Sequence, residues 1–347
     1  MGVYNLTERG SFMHREYFET VSMFDNSGDM IPFGWSKEPV FFYNKLNASA
    51  SALRVKETDT YCIRNSHLLL TISIANLGLY GVVSGTIIDF DSFRMGKKVV
   101  KKMFPFIKFK MPESSLSGDV AYNDSQIGMK FSKAGTKRYL KCDFLNFFNN
   151  KNLYFNIEID EENAESMNVA LPFDNSKTSY FTKRFLPQMR ARGIVRFGGN
   201  EYNLDKEYTT AYLNWNRISA PNKVYYHELI AEGQFKNTTM TVHFGGGLSD
   251  KSEGIENCLF IDKKLIKLGP VKAKGHANDL LSLWKFHDKD ENIYIEFVPC
   301  TKGGGELHAK NDKKNIIYGN IYGHIIGNDN SVMKIDGFDA LLINTTL

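Results

Sequence analysis

In the run HLLLTISIANL, Leu68, Leu70, Ile72 and Ile74 fall on one face of an extended chain, and Leu69, Thr71 and Ser73 fall on the other. A period of two is the signature of a β-strand, because successive side chains of an extended backbone point to opposite sides. The alternation returns in YGVVSGTIIDFDS, IGMKFSKAGTKRYLKCDF, NLYFNIEIDEE, SMNVALPF, GIVRFGGNEYNL, TTMTVHFGGG, NCLFIDKKLIKL, NIYIEFVPC, NIIYGNIYGHIIG and ALLINTTL. Gly, Asn, Asp and Ser cluster between these runs, as turns demand. Asp262-Lys263-Lys264 and Gly198-Gly199-Asn200 predict tight hairpin connections. Helical patterning is confined to Ser11 to Val21, Glu162 to Met167 and a turn near Phe181 to Gln188. Many short strands with few short helices predict an all-β antiparallel barrel or sandwich. At 347 residues the chain suits two such units, and the turn-rich stretch LPFDNSKTS marks a weak boundary. The expected domains are 1–175 and 176–347, with one large sandwich as the alternative.

Composition supports the β reading: 26 Phe and 17 Tyr against 9 Pro suit pleated, half-buried surfaces. A net charge of +4 is too small to imply a polyanionic partner, so no nucleic acid is expected. No run of apolar residues reaches the length of a transmembrane helix. MGVYNLTERGSFMHREYFET has no basic segment followed by an apolar core, so no signal peptide is expected. Cys62, Cys142, Cys258 and Cys300 are widely spaced and form no CxxC pair, which predicts thiols in a reducing, cytoplasmic compartment. The oligomeric state is not legible. MGKKVVKKMFPFIKFK carries six lysines, including Lys97 and Lys110, among apolar residues. Such a stretch suits an anionic surface, but it also suits a sheet edge protected from aggregation, and the balanced overall charge favours the edge.

Several blocks resemble a bacterial family known as domain of unknown function twenty-eight-oh-four. They are GWSKEPV (34–40), RVKETDTY (54–61), IANLGLYG (74–81) with the following IIDF, MPESSLSGDV (111–120), SMNVALPF (166–173) and ENCLFIDKKLIKL, in the expected order over nearly the whole chain. The resemblance implies a fold similar to the double lipocalin-like proteins that include carotenoid hydratases and certain cyclases. It thereby implies two lipocalin-like antiparallel halves and a cavity for a partly apolar small molecule. One block departs from the family pattern: where an Asp-Trp-Gly-Arg-Gly segment is typical, this chain reads LNWNRIS, with the amide Asn214 in place of a carboxylate. Thr58 and Thr60 also stand where bulky aromatics are commoner.

RVKETDTY and LNWNRIS are the candidate site segments. On a strand, Glu57, Asp59 and Tyr61 share one face with Val55, while Arg54, Lys56 and Thr58 share the other. Carboxylates two residues apart lie roughly 6–7 Å from each other, and without a cation between them one would be held protonated. In LNWNRIS, Asn214 and Asn216 align on one face, and Trp215 and Arg217 on the other. An indole face beside a guanidinium fork suits the apolar body and polar end of a small ligand. The alternatives are a salt-bridged surface strand for the first segment and a core Trp stacked by Arg for the second. The expected ligand-binding set is Arg54, Lys56, Glu57, Asp59, Tyr61, Tyr80, Asn214, Trp215, Arg217 and Glu256. If the protein is an enzyme, Glu57 or Asp59 is the proton donor and Arg217 stabilises developing negative charge.

Other motifs are weak. HFGGGLSD (243–250) and TKGGGELH (301–308) lack the Gly-Lys-Ser/Thr ending of a phosphate loop. The histidines His243, His276 and His287 are too far apart to form a metal signature, and no serine elbow occurs. The expected function is therefore binding of a small, partly apolar molecule, with no cofactor and no metal. The alternatives are a cofactor-independent hydratase, isomerase or cyclase, and a carbohydrate- or surface-binding protein.

Overall fold

A computed structural model describes residues 14–346 except 104–108, 163, 174–175, 177, 221–223, 249–252, 276–278, 280, 303–304, 307, 310–313 and 328. The chain forms two compact units, one of residues 17–221 and one of 222–347 with the first sixteen residues. The turn-rich stretch expected as a boundary, 171–179, lies inside the first unit, between the strands Met167–Pro172 and Tyr180–Phe197, which pair with each other.

The first unit is built on a sheet whose main path has ten strands, with shorter strands such as Met167–Pro172 and Asn200–Leu204 pairing off that path: β1 (Lys56–Arg64), β2 (Leu68–Asn76), β3 (Tyr80–Asp89), β4 (Arg94–Met103), β5 (Val120–Asn123), β6 (Ile127–Ala134), β7 (Lys137–Phe148), β8 (Lys151–Asp160), β9 (Tyr180–Phe197) and β10 (Thr210–Ser219). Their spatial order is β4-β3-β2-β1-β10-β9-β8-β7-β6-β5. Along this path each strand lies beside the next one of the series, apart from the seam between β4 and β5 and the antiparallel pairing of β1 with β10. Among the described residues the path is open between β4 and β5, and β4 approaches β7 while β2 approaches β5, so the sheet curls around its core. That core takes one phase of each strand, for example Leu68, Leu70, Ile72 and Ile74 from β2 and Leu140, Cys142 and Phe144 from β7.

The second unit repeats this wiring. The strands of its main path are β11 (Tyr225–Phe235), β12 (Thr238–Gly246), β13 (Cys258–Ile261), β14 (Lys264–Lys267), β15 (Lys272–Lys274), β16 (Trp284–His287), β17 (Ile293–Pro299), β18 (Lys314–Ile326) and β19 (Val332–Thr346). They run β14-β13-β12-β11-β19-β18-β17-β16-β15, again with first and last strands paired and the seam in the middle of the series. Both units are all-β and antiparallel, as expected.

The few expected helices are not found. Phe181 to Gln188 is the first half of β9. Glu162 to Met167 has no helical turn among its described residues and leads into a strand. Residues 11–13 lie outside the described residues, and the rest of that stretch holds the two-residue strands Arg15–Glu16 and Val21–Ser22. Helical structure among the described residues is limited to one 3-10 turn, Lys45–Asn47, whose Asn44 side chain accepts from the Leu46 amide. Among the described residues no helix is long and apolar enough to cross a membrane. The lysine-rich stretch supplies β4, which stands at the edge of its sheet's path. Ammonium groups along an edge strand oppose pairing with another chain.

Candidate ligand and proton-transfer site

The two candidate segments are adjacent strands. The register of β1 against β10 sets Glu57 opposite Arg217, Asp59 opposite Trp215 and Tyr61 opposite Leu213. Val55, Tyr61, Leu213 and Trp215 belong to the core of the first unit, so this is the interior face of the curled sheet. Arg217 is fully buried there. Its guanidinium lies 4.0 Å from the Trp215 ring centroid. Nη1 donates to Asp59 Oδ1 at 2.8 Å and to the Asn216 carbonyl at 2.9 Å, and Nη2 donates to the Pro112 carbonyl at 2.8 Å. Glu57 accepts from Lys45 Nζ at 2.8 Å and from the Tyr43 hydroxyl at 3.3 Å. Tyr43 in turn meets the Tyr180 hydroxyl at 3.4 Å and sets its ring edge-on to Trp215.

Further along the same face lies a second charged group. Glu161 receives Arg138 Nη2 at 2.6 Å and Arg184 Nη2 at 2.7 Å, and is also paired with Lys133. Arg138 Nη1 donates to the Tyr61 hydroxyl at 3.0 Å, linking the two groups. Three cations thus converge on one carboxylate in a largely buried place, an excess of positive charge that favours an electron-rich partner.

The serine-rich segment MPESSLSGDV crosses over this face between β4 and β5. Arg217 holds its Pro112 carbonyl, and Arg138 Nη2 holds its Ser115 carbonyl at 2.6 Å. Beneath it is a small cleft lined by Asp59, Tyr61, Ser115, Lys133, Arg138 and Trp215, among others, with room for about one water molecule. Trp215 Nε1 is buried without an acceptor among the described residues. A much larger depression, about 780 Å³, opens on the surface at residues 22–31 and 46–49. It is bounded by exposed turns and holds none of the charged groups above, so the cleft is the better candidate.

Two of the interior carboxyls, Asp59 and Glu161, are driven apart. Burial pushes Asp59 above the ordinary aspartate range, against the pull of Arg217 and Arg138. Burial would also raise Glu161, but Arg138, Arg184 and Lys133 hold it below the ordinary glutamate range. A carboxyl biased toward its protonated form beside one fixed as an anion is the arrangement that lets two acids take different roles. The Tyr180 hydroxyl is pushed up to about 12, chiefly by burial, so it acts here as a neutral donor or acceptor.

Of the expected residues, Glu57, Asp59, Tyr61, Trp215 and Arg217 are brought together. Asn214 and Asn216 lie on the other face of β10, opposite Thr60 and Thr58, and Asn216 Nδ2 donates to Asn214 Oδ1 at 2.9 Å. The departure from the family pattern at Asn214 therefore does not touch the Asp59 cleft. Lys56 takes the face opposite to Glu57 by strand alternation. Arg54 is exposed and donates to the Ala220 carbonyl at 2.8 Å. Tyr80 begins β3 under the ammonium of Lys101, and Glu256 belongs to the second unit. Sequence reasoning missed Tyr43, Lys45, Lys133, Arg138, Glu161 and Arg184. A signal existed for one of them: Arg138 occupies the inward phase of β7, in step with Leu140, Cys142 and Phe144.

Two curled meanders, each with its first and last strands paired, define an all-β protein of two lipocalin-like halves. The chain belongs to the family "Domain of unknown function (DUF2804)", which matches residues 14–341. No curated protein sequence matches it. Among solved structures it is similar to kievitone hydratase from Nectria haematococca, at 9% identity and a TM-score of 0.53 over 84% of this chain and 88% of that one. It is also similar to CghA, solved with Sch210972, at 10% identity and a TM-score of 0.55 over 96% of this chain and 98% of that one. At such identities the likeness is one of fold.

Proposed function

We propose that the protein binds a small, partly apolar molecule carrying a carbonyl or carboxylate end, in a calyx-type site of the first unit. The observation that carries this reading is the convergence of Asp59, Lys133, Arg138 and the unpartnered Trp215 N–H on one cleft beneath the serine-rich segment. Access requires that segment to lift. The arginine N–H groups that hold the Pro112 and Ser115 carbonyls then turn to the ligand's oxygen, exchanging one acceptor for another. The apolar body lies against Trp215 and the aromatic wall of Tyr61 and Phe131. Kievitone hydratase and the small-molecule complex of CghA support the reading by fold analogy only.

The raised Asp59 favours a second reading on the same scaffold, a cofactor-independent hydratase, isomerase or cyclase. A protonated Asp59 donates to the substrate, and Arg217 steadies the carboxylate it leaves behind.

Native mass spectrometry of the freshly purified chain tests the binding reading. We expect a discrete added mass, released by organic solvent and bearing a carbonyl or carboxylate. Arg138→Gln should lower its occupancy about tenfold, the size of one lost charge-assisted hydrogen bond. A bare mass, with no thermal shift from a panel of aromatic ketones and carboxylates, defeats the proposal. For the second reading, Asp59→Asn should keep binding and lose turnover; unchanged turnover removes Asp59 from the chemistry.

A further inference from the structure

The glycines of HFGGGLSD play no part in the cleft of the first unit, yet each answers a close approach. A Cβ on Gly245 would stand 2.8 Å from Glu256 Oε2 and 3.1 Å from the Tyr226 hydroxyl. One on Gly246 would stand 2.7 Å from His227 Nε2. Gly247 has φ +94, and a Cβ there would meet the Tyr225 carbonyl at 2.1 Å. The run therefore makes room for polar side chains to lie across the end of β12.

Those side chains form a set. Gly245 pairs with Glu228 on β11, and on its other side the β12–β13 register brings Glu256 alongside. Two glutamates thus flank a glycine, with His243 two residues away on the same face of β12. Glu228, His243 and Glu256 are 4%, 0% and 1% exposed. Each offers a ligand atom, all within 4.8 Å of one another. His243 Nδ1 lies 3.0 Å from the Glu256 backbone carbonyl, and Nε2 lies 2.8 Å from Glu228 Oε1. A carbonyl only accepts, so Nδ1 carries the hydrogen and Nε2 is the nitrogen turned toward the carboxylates. Glu256 Oε2 is oriented by the Tyr226 hydroxyl at 2.6 Å.

We propose that Glu228, His243 through Nε2, and Glu256 form a binding site for one divalent transition-metal ion of the zinc type. One imidazole and two carboxylates are a donor set such ions accept. The ring held by Nδ1–H to a backbone carbonyl, and the carboxylate held by a tyrosine, are the supporting contacts that metal ligands ordinarily have. Lys314 is a cation that interacts with Glu228, and a metal ion would further offset the cost of burying two carboxylates together. The site lies in the second unit and is independent of the ligand reading given for the first.

The full-length protein, stripped by chelator and desalted, should bind about one Zn²⁺ per chain by calorimetry and elemental analysis. Co²⁺ in its place should give visible d–d bands with the intensity of a low-coordinate nitrogen–oxygen site. His243→Gln and Glu256→Gln should each weaken Zn²⁺ binding by well over ~100-fold, beyond the range of about 10–100-fold seen for losing a supporting contact. Zn²⁺ should raise the melting temperature of the wild type and not that of Glu256→Gln. Absence of saturable binding at about 1 mM Zn²⁺ overturns the proposal and leaves His243 and Glu228 as a buried hydrogen-bonded pair. Equal affinity in the wild type and both variants places the ion elsewhere and also overturns it. Should His243→Gln not fold, Glu256→Gln and the wild-type Co²⁺ spectrum decide.

Discussion

Glu161 shows what a single buried carboxylate does in this interior. It is the common partner of Arg138, Arg184 and Lys133, and removing it leaves like charges facing one another without compensation. Glu161→Gln should therefore cost about 3–5 kcal/mol, the usual result of breaking one side of a buried ion network. It should also change the pH profile. Burial raises Glu161, but the three cations outweigh it and the folded-state value lies below the ordinary one. The unfolded chain then takes up the proton first. The stabilisation is complete above about pH 4.3, the value for an unfolded glutamate, and is lost as pH falls from there through the folded-state value. Urea midpoints from pH 7 down to pH 3 should show a shallower acid-side decline in Glu161→Gln than in the wild type. Parallel profiles would mean that Glu161 is not held as an anion. None of this was legible in the chain, because Glu161 stands just past the end of β8 and its partners come from three other strands. Glu57, Asp59 and Arg217 were legible because both ends of the interaction sit on strands whose alternation names the shared face.

At the scale of elements, the clearest success of sequence reasoning is the turns. Asp262 and Lys263 both adopt positive φ, and Ile261 pairs with Lys264 across them, a two-residue hairpin of the twisted type that suits adjacent strands. Gly198 and Gly199 close the turn between Phe197 and Asn200 in the same way. The clearest failure is β9. Its first ten residues are buried on both faces, so the apolar and polar residues do not alternate and the strand imitates a helical turn. Gly81, in the family block IANLGLYG, shows a different kind of element-level constraint. A Cβ there would stand 2.3 Å from the Phe109 ring. Phe109 is stacked on Tyr122 at 4.8 Å, and its carbonyl accepts from Asn76 Nδ2 at 3.3 Å. Phe109 thus anchors the near end of the serine-rich segment against β3. Gly81→Ala should displace the ring, destabilise by about 1–3 kcal/mol as overpacking does, and speed proteolysis between residues 109 and 118. Cleavage at the wild-type rate would show that the segment is anchored by the arginines alone.

At the scale of the whole molecule, the same circuit is drawn twice. In each unit the first strand pairs with the last and the seam falls between two consecutive middle strands. The sequence offers no repeat that announces this, because the wiring is conserved by hydrogen bonds and alternation rather than by residue identity. Each circuit also encloses its own apolar cluster, and the two clusters share no residue. A cavity made in one core is then paid for locally. Leu259 is fully buried in the second core, and Leu259→Ala should cost about 2–5 kcal/mol. Peptide-resolved hydrogen exchange should show the loss of protection across residues 225–346, because β11 through β19 open as one cooperative unit around that core. Protection of β1 through β10, including the strands that carry Glu57, Asp59 and Arg217, should be unchanged. Equal loss of protection in both circuits would mean that the two cores melt together, and a change in either candidate site would then be felt at the other.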